Sequence, residues 1–354
     1  MSRTIPIAIT AGLLSVTPAH PQSPQARTAE IDRIFREITA DAPGCAVGVS
    51  QRGRAIVNRQ YGLADIESRA PLGPGSLFDI GSTHKQIVAA AVLQLVEARR
   101  LQLDDDIRRF LPELPDYGHV VTIDHLLTHT GGIRDWTGLL PFAPESTGAL
   151  TIILRQRGLN FVPGSEWSYS NSGYVLLKEI VARASGRSFA EFARRRIFEP
   201  LGMRSSAYVE DILHAGPDAA IGYQKETNGW RPFMRLGPNR GGGGVAASVG
   251  DLITWQEALA NERLGRFVTL KLEENARLSN GRRLRSARGL FVDSTPGGVV
   301  ISHSGGAAGF STWMGRVPEH GLSVAVACNF DPVSASDLAE AVIDLFVPQV
   351  PEAA

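Results

Sequence analysis

Apolar positions recur at helical spacing over 28–40, where Ile31, Ile34, Phe35 and Ile38 share one face, and the segment closes before Pro43 and Gly44. That pattern predicts an amphipathic helix. Two short apolar runs follow, 45–51 and 55–61, split by Arg52-Gly53-Arg54. They read as a strand pair around a glycine turn. Residues 63–77 are polar and broken by Pro and Gly, which predicts a loop, and 87–96 is an Ala- and Leu-rich run with helical spacing. A short helix is expected over 122–129, capped by Thr122 and ended by Gly131-Gly132, with further helices at 150–155, 174–184 and 189–197. After glycines 241–244 comes a helix at 248–260. Strand-like runs then lie at 287–292, 298–303, 311–317 and 322–329, and 338–346 closes the pattern as a helix.

Strands thus sit at both ends with helices between them. The expected class is α+β: an antiparallel sheet assembled from N- and C-terminal pieces, flanked by helices, plus an inserted helical subdomain. The expected boundaries are one domain over 28–350, with a sheet subdomain from about 28–100 and 237–350 and a helical one over about 101–236. No internal repeat, heptad pattern or mature transmembrane span is visible.

Composition narrows the function little further. With 354 residues, 36 basic against 36 acidic side chains and a formal charge of zero, nothing suggests nucleic acid as a partner. A small-molecule or peptide substrate is the expectation, and the oligomeric state is open. Residues 1–19 read as a signal peptide, an apolar run with small Thr17 and Ala19 at its end, which implies a secreted or periplasmic protein; a disordered apolar leader is the alternative. Two cysteines, Cys45 and Cys328, are too few for a disulfide framework and match no zinc pattern, so both read as buried thiols. No metal and no cofactor are expected. The acidic Asp104-Asp105-Asp106 reads as a helix cap rather than an ion site, and glycines 241–244 as a tight turn near a cleft rather than a phosphate loop.

The candidate chemistry begins at Ser82-Thr83-His84-Lys85, at the start of the predicted helix. A serine hydroxyl needs a base, and residues three apart on a helix share a face, so Lys85 would sit beside Ser82. Unpaired N–H groups at a helix start favour negative charge on a carbonyl under attack. Only four lysines, Lys85, Lys178, Lys225 and Lys271, stand against 32 arginines. Keeping Lys at 85 in so arginine-rich a chain points to a group that must lose its proton. His84 would face elsewhere, as a packing or surface residue. Tyr169-Ser170-Asn171 offers a second relay group, although Asn171 alone reads as a helix cap and Tyr169 as a half-buried ring. Glu166 is taken as a loop acid. His303-Ser304-Gly305-Gly306, after Val299-Val300-Ile301, would lie on a sheet edge able to pair with an extended substrate. His129-Thr130-Gly131 has the same form but sits where glycine caps a helix, so His303 is preferred.

The order Ser82-x-x-Lys85, Tyr169-x-Asn171, His303-x-Gly305 resembles the serine β-lactamase and penicillin-binding protein superfamily, in particular its class C β-lactamase, DD-peptidase and esterase branch. The flanks Leu126-Leu127-Thr128-His129-Thr130-Gly131-Gly132 and Pro163-Gly164-x-x-Trp167-x-Tyr169 extend it, from about Phe78 to Asn329. The resemblance implies an acyl-enzyme on Ser82, a general base shared by Lys85 and Tyr169, and an oxyanion hole from the backbone N–H groups of Ser82 and Gly306. It further implies substrate contacts from Asn171, His303, Ser304 and Gly305. The substrate would be a β-lactam, a D-amino-acid peptide or a small ester; a carboxylesterase or a non-catalytic penicillin-binding sensor are the alternatives. It also implies that the first and last strands lie side by side, bringing Cys45 near Cys328, where a disulfide could form in an oxidising compartment. The motif departs at His303, where β-lactamases of the superfamily usually carry Lys. A His of ordinary pKa is mostly neutral at pH 7, which argues against strong antibiotic hydrolysis but not against hydrolysis, since His at that place also occurs in DD-peptidases and related hydrolases.

Overall fold

A computed structural model describes residues 24–144, 146–234 and 243–348. The signal peptide predicted at 1–19 and glycines 241 and 242 lie outside them. The fold is α+β. Its main sheet takes β1 (Cys45–Gln51) and β2 (Arg54–Tyr61) from the N-terminal part, and β3 (Phe291–Thr295), β4 (Gly298–Ala307), β5 (Phe310–Val317) and β6 (Leu322–Cys328) from the C-terminal part. The order is β3-β4-β5-β6-β1-β2, antiparallel throughout, so the first strand pairs with the last, Cys45 opposite Cys328 through Gln51 opposite Leu322. The helices used below are α1 (Pro24–Ile34), α2 (Lys85–Glu97), α3 (Ile123–Leu127), α4 (Asn171–Ser185), α5 (Val249–Ala260), α6 (Arg266–Glu273) and α7 (Ala335–Asp344).

The sequence of the central strands decides which helix covers which face. In β1 and β6 branched Val47, Val49, Val324 and Val326 alternate with small Ala46, Gly48, Ala325 and Ala327. Successive side chains point to opposite faces, so one face is bulky and the other nearly flat. The bulky face packs under Ile31 and Phe35 of the N-terminal segment and Ala339 and Val342 of α7. The flat face takes α5 closely: a Cβ on Gly48 would lie 2.7 Å from Val249 and 2.8 Å from Ile253. The same face adjoins the larger core around α2, whose residues from Lys85 to Leu93 are all buried. A helix apolar all round is a core helix, and Gln86 fixes its rotation by accepting from Trp255 Nε1 of α5 at 2.8 Å.

Several expectations change. Cys45 and Cys328 are not thiols but a disulfide, because the β1–β6 register sets them directly opposite one another. The bond links strands 283 positions apart. Such a closure restricts the unfolded chain, so replacing both cysteines by Ala should lower unfolding stability by about 2–5 kcal/mol in denaturant titrations. The run 287–292 is strand only from Phe291; before it the chain turns on itself, Ala287 N–H donating to the Leu290 carbonyl. Helix α6 has no counterpart in the sequence reading. The middle region is not purely helical: Ala207–Val209 and Phe78–Asp79 flank Gly244–Ala247 in a three-stranded sheet, and Tyr223–Glu226 pairs with Gly229–Pro232. The expected loop 63–77 contains the paired strands Leu63–Asp65 and Ala70–Pro71. Asp106 caps the 3-10 turn Ile107–Arg109, as read.

Candidate active site

Ser82 is held by a short strand that ends just before it. Phe78–Asp79 pairs with Gly244–Ala247, Ile80 N–H donates to the Val245 carbonyl, and Gly81, at φ +52°, turns the chain into the 3-10 helix Gly81–His84. The Ile80 carbonyl is clamped by two hydroxyls, Thr83 Oγ1 at 2.7 Å and Thr312 Oγ1 of β5 at 2.8 Å. The turn therefore presses on β4. A Cβ on Gly81 would lie 2.8 Å from Gly306 N, and one on Gly305 would lie 2.2 Å from the Ile80 oxygen and 3.1 Å from Ser82 N. Glycine at both places lets the backbones meet and brings the Ser82 and Gly306 amides to one spot. Strand β3 pairs with β4 only as far as Phe291 opposite Ser302, so beyond it β4 has an edge without a strand partner on that side.

Lys85, on the first turn of α2 and 2% exposed, donates from Nζ to Ser82 Oγ at 3.1 Å and to Asn171 Oδ1 at 2.9 Å. The i, i+3 spacing read from the sequence is thus a hydrogen bond. Asn171 is not the cap of α4; that role falls to Ser170, whose hydroxyl accepts from Gly173 N–H. As the first helical residue, Asn171 has its side chain available for Lys85, and Asp135 fixes it by accepting from both the Asn171 backbone N–H at 2.6 Å and Nδ2 at 3.1 Å. Asp135 in turn accepts from Thr137 N–H and Oγ1. Nothing in its sequence surroundings marked it beyond lying in a loop; the signal would have been a carboxylate shortly after the Gly131-Gly132 helix stop, and it is too weak to use alone.

Tyr169 completes the group. Its ring centroid is 4.9 Å from Lys85 Nζ, and its buried hydroxyl approaches Ser82 without closing a hydrogen bond of ordinary geometry. Burial pushes its pKa up to about 12, only partly offset by the Ser82 hydroxyl. His303 is 4% exposed, its ring 6.2 Å from that of Tyr169, with Nδ1 against the Ser304 carbonyl. Burial, and then the charge of Lys85, lower its pKa to about 3. The imidazole is neutral at pH 7, and no fixed cation stands at this position. Ser304 itself is exposed and does not line the cleft.

His129, set aside in favour of His303, is part of the support. It is buried, accepts from Ser170 N–H at 3.1 Å, and packs its ring 4.5 Å from Tyr169 and 5.2 Å from Tyr174. Burial, then Lys85 and His303, hold its pKa well below the usual histidine value. His84 is a buried packing residue, its Nδ1 2.6 Å from the Gly81 carbonyl, and it also lies on the cleft wall. Glu166 is an exposed loop acid.

Three histidines whose protonation burial resists, His129, His303 and His125, imply an acid response. Unfolded, each binds a proton near pH 6.5; folded, each resists it. Their stabilisation is complete above about pH 6.5 and is lost as pH falls towards their folded values, by up to about 1.4 kcal/mol per pH unit for each. Asp251 and Glu273, whose carboxyl pKa burial raises, act in the opposite sense, but in the carboxylate range. Between pH 6.5 and 5 the melting temperature should fall, and His303→Asn should make that slope shallower.

In front of Ser82 lies a cleft of about 400 Å³. Ser82, Lys85, Asn171 and Gly306 line it, with Trp136 and Phe233 among its apolar walls; Tyr169 and Gly305 instead adjoin Lys85 and the Ser82 turn, and His303 packs against Tyr169. Among the described residues, no cluster of His, Cys, Asp and Glu could hold a metal, and no helix is long and apolar enough to cross a membrane.

The whole arrangement has counterparts. The family described as Beta-lactamase matches residues 31–346. A penicillin-binding protein of Bacillus subtilis strain 168 is 32% identical over 301 residues, 77% of this chain and 64% of its own length. A D-aminopeptidase of Gluconobacter oxydans strain 621H is 31% identical over 328 residues, 88% of this chain and 60% of its own length. The chain thus spans about three fifths of the length of these curated relatives. The solved structure of an octameric penicillin-binding protein homologue from Pyrococcus abyssi superposes with a TM-score of 0.77 at 27% identity, covering 90% of this chain and 76% of that one. The matched region contains both halves of the sheet and every residue around Ser82, and the chain belongs to the Beta-lactamase family.

Proposed function

We propose that the protein is a serine hydrolase that cleaves an amide or ester through an acyl-enzyme on Ser82. The observation that carries this reading is Lys85 Nζ bridging Ser82 Oγ and Asn171 Oδ1 in a buried site. Ser82 Oγ attacks the carbonyl carbon and its proton passes to the Lys85–Tyr169 pair. The oxyanion rests on the Ser82 and Gly306 amides, and collapse breaks the carbonyl bond to nitrogen or oxygen, the leaving group taking the proton. Water, deprotonated by the same pair, then releases the acid. Asn171 holds the lysine and binds a substrate amide, while Gly305 lets β4 meet the Ser82 turn and His303 packs behind Tyr169. The sheet pieces and the helical insertion act as one catalytic domain over 28–350.

For the substrate, a D-amino-acid amide or peptide is favoured over a β-lactam. The relatives' names include D-aminopeptidase, and the neutral His303 supplies no cation for a β-lactam carboxylate. A small ester is the second reading, favoured by the apolar cleft. The Cys45–Cys328 bond fits export to an oxidising compartment.

Intact-mass spectrometry after treatment with a fluorophosphonate, with Ser82→Ala as control, tests the reading. One adduct that the variant lacks, together with turnover of a D-alanyl amide or a short ester that falls at least about 10³-fold in the variant, is the expected outcome. No adduct and no turnover would leave a binding protein on this scaffold.

A further inference from the structure

The arginine run Arg194-Arg195-Arg196 splits between two directions. Arg194 pairs with Glu199, while Arg195 and Arg196 line a separate cavity of about 380 Å³ together with Arg100 and Arg187. This cavity is at the far end of α2 from Ser82. Gln94 and Leu95 belong to its wall, and the helix rises about 14 Å from Lys85 to Gln94. Helix α4 ends there too, at Ser185. Among the described residues lining the cavity there is no Asp or Glu.

An exposed arginine run is ordinarily a solvated face, and helix C-termini attract cations without any ligand. Arg100 is accounted for in that way, since its Nη2 donates to the Ala184 carbonyl in the last turn of α4. The other three belong to a different element, the helical stretch Phe189–Ala193 and Arg194–Phe198 with the residue two before it. Arg187 and Arg195 share one carboxylate oxygen, Glu191 Oε1, at 3.0 and 3.1 Å. Arg196 is pinned to α2 through its backbone, whose carbonyl accepts from Gln94 Nε2. Four guanidiniums thus surround one cavity against the one carboxylate of Glu191, an excess of three positive charges among the described residues. Their mutual repulsion is relieved by a bound anion. Arg187 and Arg195 are 47% and 51% exposed, so a ligand reaches them from solvent.

We propose that this cavity binds a phosphate monoester or a diphosphate, held by Arg187, Arg195 and Arg196. A guanidinium meets two phosphate oxygens at once, which an ammonium does not. A ligand with two or more negative charges on one compact group answers the excess better than a single carboxylate does. Leu95, Ala98 and the buried Phe192 give the cavity an apolar side, on which the carbon part of an ester rests. The volume is in the range of small-molecule sites. A soluble ester and a lipid headgroup present the same phosphate to the arginines.

Calorimetric titration of the full chain with inorganic pyrophosphate tests the site, at about 0.15 M salt, where charges more than about 8 Å apart are largely screened. Saturable binding is expected, at least about tenfold tighter than that of acetate. It should weaken at least about tenfold in the double variant Arg195→Gln, Arg196→Gln, because a charge-assisted hydrogen bond contributes on that scale. Both side chains are exposed, and a cooperative melt checks that the variant is folded. The control Arg282→Gln, Arg283→Gln removes the same charge from another exposed place and should leave the affinity within about twofold. No saturable binding by the wild type, or an equal loss in both double variants, overturns the proposal. Co-sedimentation with phosphatidylcholine vesicles, with and without phosphatidic acid, then assigns the source. Binding that needs phosphatidic acid and is displaced by pyrophosphate makes it a headgroup, and pyrophosphate binding without co-sedimentation makes it a soluble ester. Neither titration involves Ser82, so the hydrolase reading stands apart from the result.

Discussion

Lys85→Arg should leave the protein folded enough to show a cooperative melt yet lower acylation of Ser82 by at least about 10³-fold, the range lost when a positioned general base is removed. Arginine keeps the positive charge and can still reach Ser82 and Asn171, so a role as a fixed cation would survive the change. A role in proton transfer would not, because a guanidinium does not deprotonate in the working range. The added bulk matters at a residue that is 2% exposed, so Lys85→Met serves as the second variant. Stopped-flow labelling with an activated ester reads both. Near-normal acylation in Lys85→Arg would move the base entirely to Tyr169, whose hydroxyl burial makes hard to ionise.

Gly305→Ala should be almost as damaging, although it removes no functional group. The new methyl would lie 2.2 Å from the Ile80 oxygen and 2.4 Å from Thr312 Oγ1, distances no Cβ tolerates. Either β4 or the turn bearing Ser82 must retreat. The Ser82 and Gly306 amides would then no longer converge on one oxyanion, and losing one such donor costs about 3 kcal/mol, or 10²–10³ in rate. The expected signature is a fall in kcat with little change in KM, because the displaced amides act on charge that develops only in the transition state. A variant with wild-type kcat would show that Gly306 lies outside the oxyanion hole.

Which parts of this were legible in the sequence follows from how local each signal is. Lys85 beside Ser82 is a three-residue relation on one helix, and it could be read directly. β1 and β6 could be read as short apolar runs bounded by turn residues, because both are buried along their length. Helix α6 was missed because three of its four apolar positions, Val268, Leu270 and Leu272, alternate, and Leu270 is exposed. The role of Asp135 rests on a turn that carries it to Asn171, 36 residues away, and no spacing rule reports that. His129 was set aside because a glycine cap at Gly131 would explain the motif structurally, yet the left-handed residue that ends α3 is His129 itself, at φ +61°; the imidazole's place against Tyr169 depends on two loops meeting. The disulfide needed the register of strands at opposite ends of the chain, which only the resemblance implied.

That pairing of the first strand with the last also bears on how the molecule is made. From the moment the β1–β2 pair, ending at Tyr61, emerges, one edge of the hairpin stays without its neighbour until β6 begins at Leu322, 261 residues later. At synthesis rates of roughly 5–20 residues per second the wait is on the order of tens of seconds. Throughout it, Val47 and Val49 belong to an unsatisfied edge, the kind that recruits other chains. Contacts so distant in sequence also make for slow closure. Yield at high expression should therefore be limited by the time the sheet stands half-built, more than by the stability of the finished protein.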